Sequence, residues 1–456
     1  MSQRQHKLLA PPEFYRKASR IVLPICLQQL LNQGAGFLDT LMVSYVGYVS
    51  AVAVAGDLSN LLFLFGFGIN SGITIYATQF YGIRDWKNLK RCFGLFIVLN
   101  FFSALLFFLL AQIGRTTLLS FYSKDTVLVG MAWEYLQISC FSFFFVGLTN
   151  AFTFMYRCIQ KTVVPMVIGI SVNVLNAIGN YLLIFGKLGL PELGAQGAAL
   201  STVIATGLGF TAHIVYAIVS KQPFLGSWRE LVDWPLPFLR PMLRRMAPLM
   251  LNEMLFGLGD TMYIKAFALL GSTALEAYKV AYSIHMIPYV VAIGMSNACT
   301  ILIGECLGRK ELNEAKNTVR WLLPISAVAS VVLSSFLILI ARPAVTLFSL
   351  SSAEVAQTTV LMVRLFSLRI SFRLFIVVFL FSIRAGGDSK YLMFLDCGLV
   401  WLLGLPLAFA SVLLFGVSTM PGLFLVLQIE QTVRLALAIR RYRSGVWLKN
   451  LTDEVG

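Results

Sequence analysis

Asp39 stands alone among apolar neighbours, flanked by Phe37, Leu38, Leu41 and Met42. A carboxylate inside an apolar helix is costly unless it faces a cavity and finds partners. Its chemistry there would be to take up and release a proton or Na⁺, because a carboxylate both titrates and serves as a hard oxygen ligand. The bland alternative sets Asp39 near the membrane surface, capping a bend. Asn176 and Asn180 are four residues apart and share one helix face, with Thr202 further on. Ordinary interhelical hydrogen bonding would also account for these three. A second group of charges lies downstream: Glu253, Asp260, Lys265, Glu276, Lys279, His285 and Asp396. The apolar run MVRLFSLRISFRLF adds Arg364, Arg369 and Arg373. Three arginines in one such helix are expensive unless paired or hydrated. Two readings stand. Salt bridges to Glu253, Asp260 or Glu276 would brace the fold, with Asp396 as a further partner. Alternatively the arginines form a basic cavity wall that meets a bound anionic group.

The elements that carry these residues are long and apolar. The chain has 456 residues, 58% hydrophobic and 12% charged, with mean hydropathy +0.80. So little charge is foreign to soluble domains. Many runs reach the roughly 20 residues that cross a bilayer. Lipid offers no partner to backbone N–H and C=O groups, so such runs must be helices. Twelve spans are expected at 20–46, 52–81, 92–114, 128–156, 163–186, 196–219, 244–270, 274–306, 318–341, 354–383, 391–416 and 420–441. The fold class is an all-α membrane protein with its helices in two pseudo-symmetric six-helix lobes. Its domains are an N-terminal lobe at 1–219, a cytoplasmic linker at 220–243 and a C-terminal lobe at 244–456. The linker is polar and Pro-rich, with a short interfacial helix expected near Trp228 and Trp234. The basic, polar start has no signal-peptide pattern, so the first span is expected to be retained.

The duplication is legible in the anchors Pro24, Gly68, Gly82 and Arg157, which recur as Pro248, Gly294, Gly308 and Arg384 at offsets of 224, 226, 226 and 227. Repeated halves are common in transporters with a central path. Net charge is +15, and its placement reads as topology rather than nucleic-acid binding. Alternate loops hold Arg84, Lys87, Lys90 and Arg91; Arg157 and Lys161; Lys221, Arg229 and Arg240; Arg309, Lys310 and Lys316; Arg384 and Lys390. The intervening loops offer mainly Arg115, Lys124, Lys187 and Arg342. The positive-inside rule then places both termini in the cytoplasm. Parallel lobes would be related by a pseudo-two-fold axis along the membrane normal. Seven cysteines, without CxxC or Cys/His clusters, argue against disulfide frameworks and structural zinc. No Walker A, Ser/His/Asp or HExxH pattern occurs. No enzymatic activity, cofactor or nucleic-acid partner is expected.

The segments LPICLQQLLNQGAGFLDTLMVSYVG, GINSGITIYATQFYGIRDWKNLKR and NVLNAIGNYLLIFGKLGLPELGAQGAALSTV resemble the multidrug and toxic compound extrusion (MATE) family of bacterial type. The resemblance runs over almost the whole chain, in order, and WLLGLP at Trp401 to Pro406 extends it into the second half. It implies twelve helices in two lobes that rock between outward-open and inward-open states. It also implies a secondary active multidrug exporter of the plasma (inner) membrane, an antiporter of H⁺ or Na⁺ against small amphipathic substrates, and a monomer. Carried over by position, Asp39, Asn176, Asn180 and Thr202 would line the cation-coupling pocket, with any Na⁺ at Asp39. Some relatives carry an acid where Asn180 stands, so one formal negative charge remains here. In the second half, Glu253 falls about one turn before the family's span 7 acid and Asp260 about one turn after it. Arg373 occupies the position of a span 10 acid. Glu253, Asp260, Arg369 and Arg373 thus form a candidate substrate and charge network. The rival reading is a flippase for a lipid-linked precursor in the same broader superfamily. Basic cavities favour it, and the LDT and NYLLIFG patterns oppose it.

Overall fold

The computed structural model describes residues 10–114, 117, 119–120, 125–348 and 350–454. Arg115 and Lys124, expected in an outer loop, lie outside the described residues. The described residues form helices and connecting turns, with no strand among them. The first half holds α1 (Pro12–Ser44), α2 (Val49–Gly82), α3 (Trp86–Ile113), α4 (Thr126–Ser139), α5 (Ser142–Cys158), α6 (Val163–Ile184) and α7 (Gly194–Val219). The short α8 (Trp228–Leu231) follows, in the segment expected to carry an interfacial helix. The second half holds α9 (Leu236–Ala268), α10 (Ser272–Gly308), α11 (Leu312–Val345), α12 (Ala353–Ala385), α13 (Ser389–Leu413), α14 (Met420–Val426) and α15 (Gln428–Arg443).

Ten described helices are long and apolar enough to cross a membrane, with α14 and α15 taken together, or eleven if α4 and α5 count as one span. The twelfth is α9, long enough at 33 residues but loaded with Arg240, Arg244, Arg245, Glu253, Asp260 and Lys265. Two details differ from the sequence reading. The fourth span is not straight: α4 and α5 meet at 51° around Cys140 and Phe141. The seventh starts at Leu236 rather than 244: Pro237 falls in the first helical turn, where no intrahelical N–H bond is lost, while Pro241 and Pro248 each forgo one bond within the helix.

By internal packing the chain forms two units, Leu23–Met246 and Met1–Val22 joined with Ala247–Gly456. Within the first, Ala51, Ala55, Ala104 and Ala132 are buried where α2, α3 and α4 pack. Small side chains let apolar helices approach closely where no hydrophobic drive separates protein from lipid. Local chemistry sets the helix starts. Asp85 accepts from the N–H of Asn88 at 3.0 Å, Asp125 from Val127 at 2.9 Å and Ser352 from Val355 at 3.2 Å, each satisfying an orphan donor. The backbone itself repeats. Positive φ occurs at Gly47 and Gly271, Arg84 and Lys310, Gln160 and Gly387, and Lys221 and Gly445. These pairs keep the spacing of the sequence anchors.

Candidate functional site

In the Leu23–Met246 unit, α1, α6 and α7 bring one polar group together. Asn180 Nδ2 donates to Asp39 Oδ1 at 2.6 Å. The Asn176 amide meets its surroundings best with Nδ2 donating to Asp39 Oδ1 at 2.9 Å and Oδ2 at 3.3 Å. Its oxygen then accepts from the Thr202 backbone N–H at 3.2 Å and hydroxyl at 3.3 Å. Hydrogen-bond satisfaction is what fixes an amide's orientation. Ser201 Oγ donates to the Asn176 carbonyl at 2.9 Å. Tyr135, on α4, hydrogen-bonds Thr202 and lies in the field of Asp39. The close approach of α6 and α7 depends on two glycines. A Cβ at Gly179 would strike Ser201, and one at Gly197 would strike the Leu183 carbonyl.

Asp39 is half-buried, while Asn176 and Asn180 are buried. Two amides thus donate to one carboxylate. Asn180 Oδ1 is buried with no hydrogen-bond partner. That leaves a carboxylate, a free amide oxygen and a hydroxyl side by side, a set of hard oxygen donors suited to a small cation. Asn173, about one turn before Asn176, points elsewhere and donates to Asn32 Oδ1 at 2.9 Å. Nearer the start of α6, Arg157 Nη2 donates to Gln28 Oε1 at 3.0 Å, and Gln28 Nε2 donates to the Pro165 carbonyl at 3.1 Å.

The other unit is built differently. Glu253 pairs with Arg384 at 2.9 Å, not with an arginine of the MVRLFSLRISFRLF run. Glu276 accepts from the Ser351 N–H at 3.1 Å and hydroxyl at 2.7 Å, not from arginine. Asp396 pairs with Arg434 at 3.0 Å, and Arg434 also binds Glu430. Tyr263 donates to Glu430 at 2.8 Å, and Asn252 Nδ2 donates to Asp396 at 3.3 Å. Part of this network rests on backbone groups of α13. Residues Phe394–Gly398 and Val400–Gly404 wind as π-helical turns, which loosen the usual backbone ladder. Arg434 takes the Asp396 carbonyl at 2.9 Å, and Asn252 Oδ1 accepts from the Cys397 N–H at 3.3 Å.

Arg369 and Arg373 form no ion pair among the described residues. They lie over the rings of Phe424 and Tyr289, at 5.7 and 5.8 Å. Asp260 lies in the field of both and forms no ion pair with either among the described residues, and Arg364 is exposed. The salt-bridge reading of the three arginines is therefore corrected. Glu253, Glu276 and Asp396 are engaged elsewhere, by Arg384, Ser351 and Arg434, while Asp260 stays in the field of Arg369 and Arg373. Arg434, Glu430, Asn252 and Tyr263 are members of the network that the sequence reading passed over. One signal was available. Glu430 and Arg434 stand four apart within an apolar span, a spacing that pairs side chains on a helix.

A duplicated, all-helical fold with ionisable groups buried within each half is that of a multi-span membrane transporter. The MatE family profile matches residues 24–182 and again 248–410, and the chain belongs to this family of MATE transporters. An uncharacterized transporter, YisQ of Bacillus subtilis, is 29% identical over 436 residues, covering 93% of each chain. A probable multidrug resistance protein, NorM of Thermotoga maritima, is 23% identical over 445 residues, covering 96% of this chain and 94% of that protein. A crystal structure of a Vibrio cholerae MATE transporter superposes with TM-score 0.87 at 19% identity, covering 96% of this chain and 98% of that one. A MOP superfamily transporter from Pyrococcus furiosus, described as having a binding pocket of reversed polarity, superposes with TM-score 0.85 at 16% identity, covering 96% and 97%. These likenesses show the fold, twelve helices in two lobes.

Proposed function

We propose that the protein is a secondary active multidrug exporter. It exchanges H⁺ or Na⁺ for small amphipathic substrates by alternating access, as a monomer in the bacterial inner membrane. The observation that carries this reading is the Asp39 carboxylate, held by Asn180 at 2.6 Å beside an unpartnered amide oxygen. A carboxylate with two amide donors has a defined ionised form. Protonation, or a cation shared with Asn180 Oδ1 and the Thr202 hydroxyl, would neutralise it and change which contacts it keeps. A transporter needs such a two-state group to link ion and substrate movement. The multidrug resistance named for several relatives supports the substrate class. No chemical step on the substrate is involved.

The test is Asp39→Asn, which preserves shape and removes the exchangeable charge. Purified variant in proteoliposomes should keep its thermal midpoint yet lose ion-driven export to below about a tenth of wild type, a barrier change of at least about 1.4 kcal/mol. Wild-type export with its ion dependence intact would remove Asp39 from the mechanism. Imposing Na⁺ or H⁺ gradients separately identifies the coupling ion. The same reading puts both termini and the Arg84 loop in the cytoplasm, supported by the alternating basic loops. A membrane-impermeant thiol reagent added outside cells, in a background without native cysteines, should label Lys187→Cys and spare Arg84→Cys. The reverse pattern would invert the topology.

A further inference from the structure

Four arginines in the second half share one neighbourhood with four acids, and the pairing is uneven. Arg384 has Glu253, and Arg434 has Asp396 and Glu430. Arg369 and Arg373 touch no carboxylate among the described residues, although Glu430 and Asp260 lie in the field of Arg369, and Asp396, Glu253 and Asp260 in that of Arg373. The group balances, four arginines against four acids, yet the carboxylates in contact serve Arg384 and Arg434 and leave these two guanidiniums without a direct one. The two arginines are four apart on α12, so they share a face. Each lies over an aromatic ring, Arg369 over Phe424 and Arg373 over Tyr289, at 5.7 and 5.8 Å. Tyr289 also hydrogen-bonds Arg373, and Arg373 Nε is buried without a partner.

Magnitudes decide what this arrangement lacks. A cation over a ring gains about 0.5–2 kcal/mol. A direct hydrogen bond between charged groups contributes about 1.5–3 kcal/mol, and at these half-buried side chains neither arginine has one to a carboxylate among the described residues. The rings therefore do not replace an anion. Phe424 is fully buried and Tyr289 half-buried, so the rings hold in place two guanidinium forks, whose planar geometry matches a carboxylate in a bidentate hold.

We propose that Arg369 and Arg373 are the anion-recognising residues of this transporter, and that its substrates include compounds bearing a carboxylate. Phe424 and Tyr289 orient the guanidiniums. Asp260 partly neutralises the pair when no substrate is bound. The export of such compounds rests on the exporter reading above; their binding does not.

The test is equilibrium binding to purified protein in neutral detergent, which needs no gradient. The probes are pyrenebutyrate, its neutral analogue pyrenebutyramide, and the cation ethidium. Wild type should bind the acid at least about tenfold more tightly than the amide, the size of one charge-assisted hydrogen bond. Arg369→Gln and Arg373→Gln should each weaken the acid by about tenfold and leave ethidium within about twofold. Arg364→Gln, on the exposed face, should change neither. Equal binding of acid and amide by wild type overturns the proposal, and this comparison needs no variant to fold. Parallel loss of acid and ethidium in the two variants, with a lowered thermal midpoint, also overturns it, because the arginines would then be structural. Displacement of pyrenebutyrate by phosphatidylglycerol more readily than by naphthoate would assign the site to a lipid headgroup, against the proposal. Intact binding with no gradient-driven export would instead sink the exporter reading and leave this one standing.

Discussion

The two halves hold the same arginine in two different ways. Arg157 and Arg384 are repeat partners, and both are buried. Arg157 is met by the neutral amide of Gln28 at 3.0 Å, whereas Arg384 is met by the carboxylate of Glu253 at 2.9 Å. Gln28 and Glu253 stand 225 residues apart, within the offsets of the repeat. The duplication thus preserved the geometry of the contact and changed its charge. A second position shows the same drift. Gly169 and Asp396 both follow the positive-φ pair Gln160 and Gly387 by nine residues. In the first half a Cβ at Gly169 would press on the Gln28 amide. In the second, Asp396 is a carboxylate bonded to Asn252 and Arg434. One scaffold therefore carries a sparse site, a single carboxylate among amides, and a dense one, an ion network. The sparse arrangement leaves a carboxylate free to change state. The dense one spends most of its charge on itself.

The largest effect should come from removing the hub of the dense half. Arg434 is 2% exposed and binds two carboxylates. Arg434→Met strands both, at a cost of about 3–5 kcal/mol. Thermal unfolding in detergent reads this directly. The triple variant Arg434→Met with Asp396→Asn and Glu430→Gln should recover most of the loss, since replacing a whole buried ion group is far milder than breaking it. A single-variant loss below about 1 kcal/mol would mean the network is hydrated and not an interior one.

An intermediate effect is expected at Glu253. Glu253→Gln gives the second half the chemistry of the first, an arginine against an amide. It should cost about 1.5–3 kcal/mol, the difference a charged hydrogen-bond partner makes. Glu253→Ala should cost more, because it also removes the acceptor. Equal losses for the two variants would show that Arg384 has moved to another partner, and the parallel between the halves would fail.

Much of this was legible in the sequence, for physical reasons. A bilayer permits only helices of a set length, so hydropathy located the spans, and the anchors exposed the duplication. Asp39 was visible because a lone carboxylate has nowhere to hide in an apolar run. The partners of Glu253 and Asp396 were not. Arg384 is 131 residues from Glu253 and Arg434 is 38 from Asp396, and packing rather than local spacing chose them. The bend at Cys140 and Phe141 carries no proline or glycine to mark it. The early start of α9 was masked by Pro235 and Pro237, which read as linker although a first helical turn accepts them.

The smallest effect, and the sharpest test of the comparison, is the reverse exchange in the first half. Gln28→Glu offers Arg157 an ionic partner, which taken alone would stabilise. The amide, however, also donates to the Pro165 carbonyl at 3.1 Å. A carboxylate cannot donate, so its second oxygen would face that carbonyl with like polarity. In the second half the neighbouring Asn252 supplies a donor toward Glu253 at 3.5 Å; in the first half Leu27 stands at that place and supplies none. Gain and loss should nearly cancel, leaving Gln28→Glu within about 1 kcal/mol of wild type in thermal unfolding. A stabilisation well beyond that would mean Arg157 lacks only a counter-charge. A loss as large as that of Glu253→Ala would mean the amide's donation to Pro165 dominates the contact. The first result would show that both halves hold their shared arginine by the same rule, and the second that they do not.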